Sequence, residues 1–178
     1  SILVMEHYDE IAKDDYAKRN FPIYRERLDK GDITAVASED DAMQIIRNLC
    51  RFYHVDYIMA YNTGFDFCKT KCRELLDEFE FIDIYLMALQ TITHLKSYRQ
   101  FCVDNEKWSA SGKTCSTTAE SVFGFINQNA QYVEEHTALN DALIEMAIFA
   151  RCAAMKKRYT KNIHMWDCKE RNKCFPKR

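Results

Sequence analysis

Apolar residues recur at helical spacing along most of the chain, and the clearest example follows Ser38. After it, Ala42, Ile45 and Leu49 stand three or four positions apart, as one buried face of a helix requires. Serine is a preferred N-cap residue, and the acidic residues at the next three positions suit the positive end of the helix dipole. The pattern predicts a helix over residues 38–52.

Short runs of branched and aromatic residues between the helical segments are typical of strands. The runs "VDYIMAY" (55–61) and "EFIDI" (80–84) predict strands, the first of them buried. The first residues of the chain predict another short strand, and residues 33–37 fit either a strand or a loop. Further helices are predicted at 9–19, 21–32, 65–78, 85–93, 97–105, 117–127 and 137–158. Strands that alternate with helices predict a helix-rich α/β fold in which helices flank a sheet.

The composition predicts one soluble, folded domain over residues 1–178. Apolar residues make up 47% of the chain and the net charge is only −2, which argues against disorder and against a strongly basic clamp for nucleic acid. The 4 glycines and 2 prolines leave no linker-like stretch. No apolar run approaches the roughly 20 residues of a membrane helix, and no signal peptide is recognised, so we expect a cytoplasmic protein without a membrane partner.

The 8 cysteines are expected to be reduced thiols. Cys102 and Cys152 fall within apolar helical patterns, where a free cysteine behaves as a small buried side chain. Cys68 and Cys72 lie four positions apart, without the paired two-residue spacing of a strong zinc site. We therefore expect no structural metal at the cysteines.

The stretch "NTGFDF", directly after the 55–61 run, holds a candidate metal ligand. In open α/β folds, ligands bind beyond the carboxyl ends of the strands, and Asp66 falls there at the start of a predicted helix. Its carboxylate can lean over the strand end and hold a divalent cation. A first-turn aspartate also stabilises the helix dipole, and for Asp66 taken alone this second interpretation is the stronger one.

The stretch "EEHTALNDALIE" places His136 five positions before Asp141. If both were helical, they would lie roughly 140° apart and would not face one site. If His136 lies in the loop before the helix, the loop can bring the imidazole beside the carboxylate, where it is suited to taking a proton from water. The alternative is an exposed histidine near a helix start, with an aspartate on the polar face.

Taken together, "AYNTGFDF" and the downstream "EEHTALNDA" resemble the second and third motifs of a known family. These are the DEDD-type 3′–5′ exonucleases with a catalytic histidine, which have a ribonuclease H-like fold. The group contains the proofreading subunit of bacterial DNA polymerase and ribonuclease T. The stretch "FIDIYLMA" between the motifs is similar to the strand and helix that the family places there, and from residue 79 on the sequence is most similar to predicted bacteriophage exonucleases.

The resemblance implies a role for each matching residue. Asp66 and Asp141 would be metal ligands, and His136 would be the general base. Two divalent cations, Mg²⁺ or Mn²⁺, would bridge the scissile phosphate, and the product would be a nucleoside monophosphate from the 3′ end. Asn62 and Phe65 would brace the site or contact the terminal nucleotide.

The sequence departs from the family at the first motif, an aspartate and a glutamate separated by one residue. The earliest acids here include Glu6 and the adjacent pair Asp9 and Glu10, which do not fit that spacing. We therefore expect a fold that lacks the N-terminal strand or strands of the family's sheet. One cation then fits the remaining acids better than two, and an exposed sheet edge would associate with a complementary N-terminal segment or another chain.

Three functions follow, in order of preference. The first is a metal-dependent 3′–5′ exonuclease that acts on DNA or RNA, with a short single-stranded 3′ end as substrate and a polymerase as a possible partner by family analogy. The second is a nucleic-acid-binding or polymerase-accessory module that keeps the fold without turnover. The third is a helical scaffold with no site.

Overall fold

The structure, a computed structural model, describes residues 1–13, 18 and 20–155. As predicted, it is a helix-rich α/β fold. The strands are β1 (Ile2–Val4), β2 (Thr34–Val36), β3 (Tyr57–Ala60) and β4 (Glu80–Asp83). The α-helices are α1 (Tyr8–Lys13), α2 (Phe21–Asp29), α3 (Glu39–Phe52), α4 (Thr63–Lys69), α5 (Ile84–Thr91), α6 (Lys96–Asp104), α7 (Ala119–Ile126) and α8 (Ala138–Ala154). None of these helices is long and apolar enough to cross a membrane.

The described strands form two parallel pairs, β1 with β2 and β3 with β4. The prediction of one sheet flanked by helices is therefore wrong for this part of the chain. The parallel direction itself follows from the connections, because each pair is joined by a crossover that contains helical segments. The ambiguous segment 33–37 contributes a strand, β2.

The prediction that the 55–61 run is a buried strand is wrong in extent and in burial. Only the four residues of β3 are extended, and Tyr57 and Met59 on one face are 46% and 39% exposed. Ile58 lies between them and joins the core. Among the described residues β3 pairs with β4 alone, so its other edge has no strand partner in this part of the chain.

The helix predicted over residues 65–78 is divided in two. α4 ends at Lys69, and a 3-10 helix, Lys71–Asp77, follows it. Thr70 between them is extended, with φ −131° and ψ 173°, and its hydroxyl accepts a hydrogen bond from the backbone N–H of Cys72. A threonine that caps a new helical segment in this way competes with continuation of the first helix.

The observed ends of two other helices can be compared with the predicted ends. α3 begins as predicted, with Ser38 as N-cap and a reciprocal capping box with Asp41. α8 begins after Thr137, close to the predicted start, and ends at Ala154. The predicted extension of this helix to residue 158, and most of the end of the 9–19 helix, lie outside the described residues.

The larger core joins α5, α6, α7 and α8. Along α8, Ile144, Ile148 and Cys152 recur every four positions and are at most 1% exposed. They pack with Tyr98 of α6 and Val122 of α7, both fully buried. This packing fixes α8, which carries the candidate residue Asp141 on its first turn.

A second core lies between α3, α4 and the β3–β4 pair. Met43, Phe67, Leu75 and Phe81 are buried in it. The rings of Phe67 and Phe81 pack edge to face with centroids 4.9 Å apart. Because Phe67 follows Asp66 in the chain, this contact fixes the helix that carries the candidate metal ligand.

The cysteines in the described cores are thiols, as predicted. Cys102 and Cys152 are free and fully buried, and Cys72 is free and partly buried. Burial raises the pKa of Cys102 to about 11, so the protonated and unreactive form is favoured. The side chain of Cys68 lies outside the described part of the structure.

Tyr98→Phe is expected to destabilise the fold by on the order of 1 to 2 kcal/mol. Tyr98 is fully buried, and its hydroxyl donates a hydrogen bond of 2.8 Å to the carbonyl oxygen of Ser116. Removal of the hydroxyl leaves this carbonyl without its donor. Urea unfolding measures the change, with Tyr57→Phe, at an exposed position, as the control that should stay near wild type. Equal stability of the two variants would contradict the role given to this bond.

Candidate active site

The carboxyl ends of β3 and β4 lie side by side, because the strands are parallel and Ala60 pairs with Asp83. Asp83 caps α5: its Oδ1 accepts hydrogen bonds from the backbone N–H groups of Tyr85 and Asn62, at 2.9 and 3.1 Å. Its Oδ2 accepts a bond of 3.2 Å from the Thr63 hydroxyl. These bonds attach the loop after β3 to the end of β4.

Asp66 stands just beyond this junction, in the first turn of α4. The turn is possible because Asn62 adopts the left-handed conformation, φ 70° and ψ 56°, which asparagine tolerates better than most residues. Burial, together with the neighbouring carboxylate of Asp83, raises the pKa of Asp66. Phe65 beside it is 59% exposed, and the side-chain oxygen of Asn62 is buried without a hydrogen-bond partner among the described residues.

His136 lies in the loop before α8, as the spacing argument required. Its φ is 53°, in the left-handed region that is uncommon outside glycine and is adopted most often by asparagine, aspartate and histidine among the other residues. Its carbonyl oxygen accepts hydrogen bonds from Asn20 Nδ2 at 2.9 Å and from the Tyr24 hydroxyl at 3.0 Å. Two residues at the start of α2 therefore hold this strained loop in place, a contact that the sequence did not indicate.

Three side chains, those of Glu134, His136 and Asp141, converge at the start of α8. One potential ligand atom from each lies within 4.8 Å of the other two. Nδ1 of His136 is 3.5 Å from Glu134 Oε2, and the Glu134 backbone N–H donates a bond of 3.1 Å to Glu120 Oε2. We call these three residues the trio. The loop thus brings His136 beside Asp141, while Glu134 joins them without having been predicted, although it stands only two positions before the histidine.

The two carboxyl groups of the trio act on each other electrostatically. Burial, followed by the nearby Asp141 carboxylate, raises the pKa of Glu134. Burial raises the pKa of Asp141 too, although His136 and Glu134 partly offset it. The Oδ1 atom of Asp141 is buried and has no hydrogen-bond partner among the described residues. A buried carboxylate oxygen in this position fits a cation as its partner.

Glu145 is a second residue of the site, after Glu134, that was not predicted from the sequence. It lies one turn after Asp141, and its carboxyl accepts a hydrogen bond from the backbone N–H of Tyr61, just after β3. Burial, followed by the carboxylates of Asp66, Asp141 and Glu134, raises the pKa of Glu145 to about 7. The available signal was an acid four positions after Asp141, on the same face of a largely apolar helix.

Glu145 is the link between the two halves of the site. Asp66 and Asp141 each act electrostatically on Glu145. The chain matches no model of a known protein family, no curated protein and no solved structure. A functional assignment therefore depends on the chemistry of the site itself.

Proposed function

We propose that the protein is a metal-dependent 3′–5′ exonuclease with a ribonuclease H-like fold. The observation that carries the proposal is the convergence of His136 with the carboxyl groups of Glu134 and Asp141 within 4.8 Å. The order of the elements supports it, because Asp66 follows the carboxyl end of β3 and the histidine precedes the last described helix. This arrangement has the residue types and the order of the second and third motifs of the DEDD-type exonucleases.

In this reaction, water attacks the last phosphodiester bond of the strand. The bond that breaks joins the phosphorus to the 3′ oxygen of the preceding nucleotide, which takes up a proton and becomes the new 3′ hydroxyl. His136 takes the proton of the attacking water, and its side chain is 40% exposed and therefore accessible to a substrate. The products are a nucleoside 5′-monophosphate and a strand that is one nucleotide shorter.

Asp66 and Asp141 would hold the divalent cations, Mg²⁺ or Mn²⁺. The buried Oδ1 of Asp141 fits this role, because it has no hydrogen-bond donor among the described residues. When bound, such cations compensate the charge of the phosphate and acidify the attacking water. Glu145 adds a further carboxyl group within electrostatic reach of both aspartates.

Asn62 and Phe65 are proposed to contact the terminal nucleotide. Phe65 directly precedes Asp66 and is 59% exposed, so its ring is available to stack on a base. The net charge of −2 supplies no excess of basic groups for a long duplex. A short single-stranded 3′ end is therefore the proposed substrate, on either DNA or RNA.

A further strand that carries acidic residues is proposed to pair with β3. Among the described residues β3 has β4 as its one partner, and Tyr57 and Met59 leave apolar surface exposed. A complementary N-terminal segment or a polymerase subunit would cover this surface and add carboxylates to the site.

The expected result of a nuclease assay is a ladder of products shortened one nucleotide at a time. The protein is incubated with a 5′-labelled single-stranded oligonucleotide and Mn²⁺, and the products are separated on a denaturing gel. EDTA should stop the reaction, because the carboxylates need a cation to approach the phosphate. A matched oligonucleotide with phosphorothioate linkages at its 3′ end should resist shortening.

Two outcomes would count against this function. Cleavage that begins inside the strand, or that ignores the 3′ modification, would indicate an endonuclease or a contaminant. Binding of the oligonucleotide without shortening at any Mn²⁺ concentration would favour the nucleic-acid-binding or polymerase-accessory module.

A further inference from the structure

The trio differs from the rest of the site in its ligand chemistry. Asp66 offers oxygen alone, whereas the trio combines an imidazole nitrogen with two carboxyl groups, all within 4.8 Å. Its members come from one continuous segment, residues 134–141, whose loop is held by Asn20 and Tyr24. The trio is thus built without a contribution from β3 or α4.

A second observation at the trio points to a bound cation. The Oδ1 atom of Asp141 is shut off from solvent without a hydrogen-bond partner among the described residues. Thr137, which follows His136 in the chain, is 1% exposed, and its hydroxyl oxygen likewise has no partner there. A buried carboxylate oxygen without a donor is uncommon in folded proteins, and a cation at the trio would satisfy the Oδ1 atom of Asp141 directly.

We propose that Glu134, His136 and Asp141 form a binding site for one divalent first-row transition cation, with Mn²⁺ bound more tightly than Mg²⁺, in the protein without nucleic acid. Imidazole is a good ligand for transition metals and a poor one for Mg²⁺, which prefers an octahedron of oxygens. The binding of the cation does not depend on the proposed exonuclease function, whereas its role in catalysis does. Glu134 and Asp141 would still hold the cation in the presence of nucleic acid, whereas His136 would have to be free of it to act as the base.

The test is a Mn²⁺ titration of the full chain without nucleic acid, followed by calorimetry and by the electron paramagnetic resonance of free Mn²⁺. Mn²⁺ is the chosen probe because thiolates, of which the chain has several candidates, are poor ligands for it. The wild type should bind one Mn²⁺ at the trio, about tenfold or more tightly than Mg²⁺. Glu134→Gln should weaken Mn²⁺ binding by about tenfold or more, since it removes a charged ligand.

His136→Asn is the decisive variant. Asparagine tolerates the left-handed conformation at this position and offers an amide oxygen in place of the nitrogen, so the preference for Mn²⁺ over Mg²⁺ should fall towards one. Glu135→Gln and His94→Asn, at exposed positions, are the matched controls and should bind Mn²⁺ as the wild type does.

Wild-type Mn²⁺ affinity in both trio variants, or an unchanged preference in His136→Asn, would overturn the inference. If a variant does not fold, the wild type alone decides the question: substoichiometric Mn²⁺ should broaden the NMR signals of the His136 ring before those of His94. If the protein cleaves nucleic acid but binds Mn²⁺ independently of Glu134, the inferred Mn²⁺ site is wrong and the proposed nuclease function stands. If the protein binds Mn²⁺ at the trio but never cleaves nucleic acid, the Mn²⁺ site stands and the proposed nuclease function is wrong.

Discussion

Asp141→Asn is expected to lower the rate of 3′ nucleotide release by at least about a hundredfold, with the fold retained. The amide has nearly the same shape as the carboxylate but carries no charge, so it compensates a divalent cation poorly. The variant should fold well, because burial already raises the pKa of Asp141 and disfavours the charged form. The initial rate of product formation measures the loss, and thermal unfolding checks the fold.

Asp77→Asn is the matched control. It makes the same chemical change at an exposed position outside the site and should cleave at the wild-type rate. Unchanged cleavage by Asp141→Asn would remove this residue from the site. Equal losses in both variants would point to a general effect on the protein instead of a catalytic one.

The parts of the site that could be predicted from the sequence are those fixed by local structure. His136 and Asp141 are close because a loop enters a helix between them, and both the helix and its start are visible in the apolar pattern. Asp66 follows β3 because the strand and the next helix are adjacent in the chain. The placement of these three residues could therefore be predicted without knowing which distant segments contact one another.

The parts that could not be predicted depend on contacts between distant segments. The side chains of Asn20 and Tyr24 bond to the carbonyl of His136 from more than a hundred positions away. The exposure of Tyr57 and Met59 depends on which segments pack against that face of β3, which a run of apolar residues does not specify. The approach of Glu145 to the Tyr61 backbone likewise depends on how α8 packs against the end of β3.

The free energy of unfolding of the wild type is expected to fall as the pH rises from acidic to alkaline values. In Glu145→Gln this fall should be much smaller. Burial and the neighbouring acids raise the pKa of Glu145 from 4.5 to about 7, so the folded state holds a proton that the unfolded state releases. For a carboxyl group shifted upwards, stability is complete below pH 4.5 and is lost as the pH rises through 7. The loss is roughly 2 to 3 kcal/mol after allowance for solvent screening.

Urea unfolding at pH 4 and pH 8 measures this difference. The variant and the wild type should be similar at pH 4, and the variant should be more stable at pH 8, because glutamine can still accept the hydrogen bond from Tyr61 but cannot ionise. Glu135→Gln, at an exposed position, should follow the wild type at both values. A variant no more stable than the wild type at pH 8 would show that the Glu145 carboxyl is not held in a repulsive environment.

Cation binding should also change the free energy of unfolding at pH 8. Saturating Mn²⁺ at pH 8 is expected to stabilise the wild type, because a cation that binds only the folded state adds its binding free energy to folding. It should stabilise Glu145→Gln less, since one of the carboxylates that attract the cation is gone. A protein that keeps several partly buried acids close together at neutral pH, against their mutual repulsion, is therefore one whose stability and metal affinity change together.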